Sequence, residues 1–305
     1  MDLSICIVSW NVAGDLRRCL ASIRAQRGAP RFEIIVVDNA SADGSAEMVR
    51  REFPEARLIA LDRNRGFAAG NNIALAEAAG RYLLLLNPDC VVPPDALQNL
   101  VAFADSRPEA GLVGPKLVYP DGRLQYSCRR FPTLKAAVFR DTILGRLWPR
   151  ARAPGAYLMA DWDHNDVREV DWLSGACLLA RAEAIREVGA LDERFFWGSE
   201  DVDWAFRMKA AGWRVLYTPE PTITHVVGRS TDQVAVRTVL RTHRSMFRLY
   251  RKHLCRNPLL LPLVWCGVWL RASIILAEQS ARRVIVRARR LCADALRRRA
   301  PKGGE

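Results

Sequence analysis

The sequence predicts a doubly wound α/β fold with a mostly parallel central sheet flanked by helices, followed by a helical tail that is both basic and apolar. Three observations carry this. Apolar runs of strand length alternate with helix-period segments through the first 110 residues. The strand runs are apolar on both faces, as in a parallel sheet covered by helices. Polar and acidic residues collect where those runs end, the rim at which such sheets bind ligands.

In chain order, LSICIVS (3–9) leads into the helical AGDLRRCLASIRAQ, and EIIVVD (33–38) into GSAEMVRREF. RLIAL (57–61) precedes FAAGNNIALAEAAG, and YLLLLN (82–87) precedes PDALQNLVAFADS, where Pro94 suits a first helical turn. After residue 111 the alternation stops, and 120–170 reads as irregular, with scattered Pro, Gly, Trp and Arg. Order resumes with VDWLSGACLLAR (170–181) and AEAIREVG. A helix is expected from about Glu200 to Ala211, then two strands, WRVLYTP (213–219) and TITHVV (222–227).

The 305 residues carry a formal net charge of +13, which invites a nucleic-acid reading until the charge is located. Residues 1–240 balance 30 Lys+Arg against 30 Asp+Glu, whereas 241–305 hold 16 against 3. A neutral body with a basic, apolar tail fits an enzyme on an anionic membrane surface, with no nucleic acid as partner. Within the tail, PLLLPLVWCGVWL (258–270) is uncharged; as a helix it makes about 20 Å, short of the roughly 30 Å hydrocarbon core. Extension to Ala277 reaches 20 residues but includes Arg271 and two early prolines. Insertion into one leaflet is therefore expected, ahead of a spanning helix or a packing or dimer helix. ARRVIVRARRLCADALRRR then reads as a basic amphipathic helix. MDLSICIVSW lacks the features of a signal peptide, and the eight cysteines show no C-x-x-C or zinc spacing. They read as reduced, buried hydrophobes, and the protein as cytoplasmic, peripheral on the inner face of the membrane.

The strand ends read Ser9-Trp10-Asn11, Asp38-Asn39, Asp62-Arg63-Asn64 and Asn87-Pro88-Asp89. Neither a G-x-G-x-x-G after the first strand nor a P-loop is present, so a bound diphosphate needs another counter-charge. A divalent cation on Asp89, Mg²⁺ or Mn²⁺, would supply it. Taken alone, Asp38 could be an Asx-turn residue, Asn64-Arg65-Gly66 a tight turn, Asn87-Pro88 a turn before a helix, and His225 a core histidine. Glu200 and Asp201 could be acidic residues in a first helical turn.

In this order, IVSWN, VVDNAS (36–41), NRGFAAGNN (64–72), LLLLNPDC (83–90), WLSGACLLAR (172–181), ALDERFFWGSEDVDWAFRMKAAGW (190–213) and H-x-x-G-x-S (225–230) resemble the family 2 glycosyltransferases. The likeness is to their bacterial rhamnosyltransferase-like branch and covers roughly residues 3–250. It implies the GT-A nucleotide-diphospho-sugar transferase fold, with a catalytic domain over 1–240 and tail helices over 241–305. The nucleotide-sugar half would be about 1–118 and the acceptor half about 119–240.

The resemblance also implies roles. Asp38 would accept the ring N–H of a pyrimidine base, with Ser9, Asn11, Arg63, Asn64, Arg65, Gly66 and Asn87 also on the donor nucleotide. Asp89 and His225 would hold the cation; Asn87 stands where the family's D-x-D motif has its first aspartate, which predicts weaker metal affinity. Asp201 would be the general base, Glu200 its neighbour at the acceptor, and Trp172, Ser174, Gly175 and Ala176 the acceptor wall. The implied reaction is inverting transfer of a hexosyl unit, L-rhamnosyl from dTDP-L-rhamnose first, to a glycan or polyprenyl-linked acceptor in cell-envelope polysaccharide synthesis. UDP-galactofuranose, UDP-glucose and UDP-N-acetylhexosamine are the alternative donors, and a homodimer is left open. A glycoside hydrolase would need neither sugar nucleotide nor metal.

Overall fold

The computed structural model describes residues 1–28, 30–133, 153–226 and 235–299; Gly228 and Ser230 of the H-x-x-G-x-S run and the stretch 134–152 lie outside them. The first strand, β1 (Leu3–Ser9), shows why alternation reads so clearly. Leu3, Ile5 and Ile7 pack with Leu16, Leu20 and Ile23 of α1 (Ala13–Arg24) on one face of the sheet, while Cys6 joins Ile35, Val37 and Leu85 on the other. Both faces are buried, so both registers of the strand are apolar.

β2 (Phe32–Asp38), α2 (Ser45–Glu52), β3 (Arg57–Ala60), α3 (Phe67–Glu77) and β4 (Tyr82–Leu86) follow as expected. β5 (Cys90–Val91) and α4 (Ala96–Asp105) come next. β1 pairs in parallel with β2 on one side and β4 on the other. The chain order therefore reverses between β1 and β4, and Ser9, Asp38 and Asn87 cluster at the carboxyl ends flanking that switch point.

The largest departure is β6 (Ala110–Val118), a nine-residue strand where the sequence signal fades. Gly111, Gly114 and Pro115 dilute its apolar pattern. At Gly114 the reason is packing: an added Cβ would lie 2.7 Å from Leu173 Cδ2. After β7 (Leu124–Gln125), β8 (Cys128–Arg129), α5 (Ala153–Leu158), β9 (Arg168–Glu169) and β10 (Trp172–Leu173), β11 (Cys177–Arg181) enters the main sheet antiparallel between β4 and β6.

Beyond α6 (Ala182–Val188) and α7 (Glu200–Ala210), the two strands expected over 213–227 are one, β12 (Arg214–His225), parallel to β6. A register shift between Thr218 and Thr222 absorbs Pro219 and Pro221, neither of which can donate to the ladder. The strand order of the ten-stranded sheet is β3-β2-β1-β4-β11-β6-β12-β5, with β7 and β9 attached at its side. Pro94 precedes rather than opens its helix, since α4 begins at Ala96 behind Asp95.

α8 (Ala235–Leu249), a π-turn (Tyr250–Leu254) and α9 (Leu261–Arg299) complete the chain. The basic segment 241–254 packs on the body: Ser245 Oγ donates to the Trp197 carbonyl, and Lys252 and His253 both reach the fully buried Asp203 of α7 at 2.6 Å. The early prolines of the tail do not interrupt its helix. Pro258 starts a 3₁₀ turn and Pro262 sits in the first turn of α9, where a missing N–H costs nothing. Pro258–Ser280 is consequently long and apolar enough to cross a membrane by length and composition, with a mean hydropathy of 2.0.

Candidate active site

At the switch point, Asp38 is 3% exposed and divides its two oxygens. Oδ2 accepts the Ser41 N–H at 3.0 Å, three residues on, while Oδ1 is buried without a partner among the described residues. Ser9 Oγ beside it is also buried and unpartnered. Asn11, at φ 52°, ties the same loop: its N–H donates to Ser41 Oγ, and its Oδ1 accepts the Ala42 N–H. The 64–66 turn is held by Asn39, which the sequence reading passed over. Asn39 Oδ1 accepts the Arg65 N–H at 2.8 Å and its Nδ2 donates to the Gly66 carbonyl at 3.1 Å. Asn64 Oδ1 accepts the Gly66 N–H. Gly66, at φ 90°, is demanded by the protein itself, because a Cβ there would lie 2.5 Å from the Phe196 carbonyl oxygen. Arg63 and Arg65 extend from this turn into solvent.

Asn87, Asp89 and His225 meet where β4 ends and β12 pairs with β5. Gln125, a second residue that the sequence did not flag, fixes the imidazole. Its Nε2 donates to the His225 carbonyl at 2.7 Å, so its Oε1 must be the atom that faces His225 Nδ1 at 2.9 Å. Nδ1 therefore carries the proton, and the lone pair of Nε2 points at Asp89 Oδ1, 3.2 Å away, with Asn87 Nδ2 at 3.3 Å. Two acceptors at that distance need a cation or a proton between them. Asp89 and His225, both 8% exposed, form a donor set that fits a divalent cation. Cys90 lies within the same cluster, but its thiol donates to the Ala176 carbonyl, and burial raises its pKa well above the ordinary range.

On the other side, Gly198 and Ser199 both adopt positive φ, and this sharp turn leads into α7, whose Glu200 is buried and whose Asp201 is half-buried. Asp201 Oδ2 accepts the Gly175 N–H at 3.2 Å and Oδ1 the Val202 N–H at 2.8 Å. Burial raises the Asp201 pKa, opposed by those two N–H groups and the charge of Arg129. Glu200, 6% exposed with Oε2 unpartnered, is raised well above the usual carboxylate range, first by burial and then by Asp201. For both carboxyls desolvation outweighs the favourable end of the helix dipole.

The sign of this effect on stability is testable. A carboxyl whose folded-state pKa lies above its unfolded value contributes stability that is intact below the unfolded pKa and is lost as pH rises through the folded one. Glu200→Gln removes that loss. Its Tm, relative to wild type, should rise more at pH 8 than at pH 4 in paired thermal melts, and an equal shift at both pH values would refute the assignment.

The four residues expected on the acceptor wall divide. Trp172 and Ser174 line a cavity of about 280 Å³ together with Asp201. Gly175 instead holds Asp201, and the Ala176 carbonyl holds the Asn87 N–H at 2.8 Å, tying this segment to the loop of Asn87 and Asp89. The cavity continues past Met246 and Tyr250 to Val264, Val268 and Arg271 of α9.

Comparison with known proteins gives the family and the fold. The model for glycosyl transferase family 2 matches residues 4–155, and that for glycosyl transferase family group 2 matches 82–286. The chain is 31% identical over 256 residues to the N-acetylglucosaminyl-diphospho-decaprenol L-rhamnosyltransferase of Mycobacterium tuberculosis, covering 80% of this chain and 82% of the relative. It is 29% identical to rhamnosyltransferase WbbL of Escherichia coli, covering 63% and 73%. Among solved structures, mannosyltransferase PcManGT from Pyrobaculum calidifontis, in complex with GDP-Man and Mn²⁺, aligns at a TM-score of 0.55 and 19% identity over 92% of this chain and 79% of that one. S. aureus TarS 1–349 with UDP-GlcNAc aligns at 0.55 and 17% over 89% and 72%. These structures share the GT-A fold, and the chain is a glycosyltransferase that belongs to family 2.

Proposed function

We propose that the protein is an inverting L-rhamnosyltransferase that takes its sugar from a dTDP donor and delivers it to a polyprenyl-diphosphate-linked glycan at the membrane. The observation that carries the donor class is Asp38: with Oδ2 committed to Ser41, one buried oxygen is left to accept one ring N–H, as thymine and uracil offer. Guanine presents two adjacent donors. The sugar and the acceptor follow the mycobacterial and E. coli relatives, whose names specify rhamnosyl transfer and, for the first, a lipid diphosphate acceptor.

In this reading Asp89 and His225 hold the divalent cation, with Asn87 beside it; when bound, the cation neutralises charge on the departing nucleoside diphosphate. Arg63 and Arg65 flank the same phosphates. Asp201, fixed by the Gly175 and Val202 N–H groups, accepts the proton of the attacking acceptor hydroxyl, while Trp172 and Ser174 position the acceptor sugar. Burial and the neighbouring Asp201 raise the Glu200 pKa, which favours its neutral form beside the base. Transfer assays with Mn²⁺ and a GlcNAc-diphospho-lipid acceptor should show dTDP-L-rhamnose preferred over UDP-galactofuranose, UDP-glucose, UDP-GlcNAc and GDP-mannose. Faster transfer from any of these would overturn the donor assignment.

The tail is proposed to lie in one leaflet. Leu259, Leu263 and Leu270 face outward at 85%, 70% and 63% exposure, while Ala272 is buried against the body and Arg271 turns inward to donate to His243 Nε2 at 3.0 Å. A helix docked along one side presents its apolar face to lipid without leaving the body, and the arginines beyond residue 281 add attraction to anionic headgroups of about 1 kcal/mol each near the surface. Deleting 256–305 should leave a body that binds nucleotide but no longer co-sediments with anionic vesicles. High salt should weaken, not abolish, binding of the full chain. Undiminished sedimentation of the truncated chain would place the membrane contact elsewhere.

A further inference from the structure

The cavity beside Asp201 has two chemically different ends. At one end Asp201, Ser174 and Trp172 offer polar groups and an aromatic wall. At the other, Leu254, Val264 and Val268 enclose it with aliphatic side chains, two of them supplied by α9. At the polar end stands Arg129, whose guanidinium lies over the Trp172 ring at 5.0 Å and near enough to Asp201 to favour its ionised form. Its Nε donates to the Tyr126 carbonyl, and among the described residues it makes no salt bridge. Arg271 adds a second positive charge to the lining.

The spacing of α9 explains how one helix serves two surroundings. Val264, Val268 and Arg271 fall at intervals of four and three residues and share the inward face. Leu259, Leu263 and Leu270 occupy the outward face proposed above to meet lipid. The apolar end of the cavity is therefore separated from that lipid-facing surface by a single helix.

We propose that α9 is a wall of the acceptor site as well as a membrane contact. Its inward face seats the chain of a polyprenyl diphosphate-linked sugar, with Arg129 and Arg271 facing the diphosphate and Asp201 the sugar hydroxyl. This rests on the lipid-linked acceptor reading above. A soluble glycan fits the far end poorly, because its hydroxyls would be buried against Val264 and Val268 without partners. An uncharged lipid would offer no anion to Arg129 and Arg271, the two cations of the lining. An anionic head followed by an aliphatic chain matches a cavity that joins cationic and polar groups to aliphatic walls. At about 280 Å³ the cavity lies just below the usual range for small-molecule sites, so it takes the head and the start of the chain, and the rest continues into the leaflet.

The test uses full-length enzyme, dTDP-L-rhamnose, Mn²⁺ and two acceptors: N-acetylglucosaminyl-diphospho-decaprenol, and the same sugar diphosphate as a methyl ester. Val268→Phe and Val264→Phe fill the apolar end from neighbouring turns. Each is expected to raise KM for the decaprenol acceptor at least tenfold, leaving KM for the methyl ester and for the donor unchanged; the unchanged donor KM reports that the variant is folded. Leu263→Phe on the outward face is expected to change none of these. Arg129→Gln should raise KM for both diphosphate acceptors. Should both cavity variants fail to fold, a photoreactive group on the first isoprene unit replaces them. Crosslinking to 246–268 on the inward face supports the proposal, and crosslinking confined to Leu259 and Leu263 overturns it. If wild type uses the decaprenol acceptor and the valine variants keep its KM, the cavity assignment falls alone. If wild type transfers only to soluble glycans, the lipid-acceptor reading falls and takes this proposal with it.

Discussion

Asp201→Asn should lower turnover by about 10²- to 10⁴-fold, the usual contribution of a positioned general base, with nucleotide-induced thermal stabilisation unchanged. The amide keeps the shape of the side chain, and its oxygen can still accept the Gly175 or Val202 N–H. It cannot take a proton from an acceptor hydroxyl. Because the hydrogen bonds of Asp201 go to Gly175 and Val202 and none to Asp38 or the 64–66 turn, the loss should fall on kcat, with the donor KM near wild type. The pH profile gives a second readout. Burial raises the Asp201 pKa, so wild-type activity should fall on the acid side at a pH above the ordinary aspartate value, and the residual activity of the variant should lose that limb. Turnover near wild type would remove Asp201 from the base role.

The contrast between Asp201 and Glu200 shows what a sequence can and cannot convey about such a site. Adjacent carboxylates at a helix start are visible as letters, and both stand where the resemblance puts chemistry. Their division of labour is not visible, since it depends on burial, which raises both carboxyls, and on Arg129, whose charge favours the ionised form of Asp201. Gln125 illustrates the same limit. It comes from the stretch that reads as irregular, 100 residues before the histidine it orients, and only the pairing of β7 with β6 brings it there. Asn39, by contrast, follows Asp38 directly at a strand end, and its position was a usable signal.

The fold was legible wherever burial on both sheet faces made the strands uniformly apolar, as in β1, β2 and β4. It faded at β6, where glycines make room for neighbouring side chains, and at β12, where two prolines split one strand into two apparent ones. The tail misled in a different way. Its charge marked 241–305 as a unit, yet the buried Asp203 of α7 is answered by Lys252 and His253 from that stretch. Net charge sums over residues without saying which of them face a buried partner.

Removal of divalent cation should be the other large effect: exhaustive chelation is expected to abolish transfer, and Mn²⁺ to restore it. The argument rests on the lone pair of His225 Nε2 facing Asp89 Oδ1 at 3.2 Å, an arrangement that Gln125 enforces by fixing the proton on Nδ1. Asp89→Ala removes the only carboxylate of that pair and should cost more cation-dependent donor binding than Asn87→Ala, whose amide contributes no charge. Gln125→Leu leaves both ligands in place but frees the ring to change tautomer, so it should weaken metal affinity by about 10- to 100-fold without changing kcat at saturating Mn²⁺. That separation distinguishes orientation from ligation, because a variant that merely disturbed the fold would not be rescued by more metal. Titration of Mn²⁺ against activity for the three variants measures all of this at once. Full activity in chelated wild-type enzyme would show instead that Arg63 and Arg65, which extend into solvent from the 64–66 turn, neutralise the diphosphate on their own.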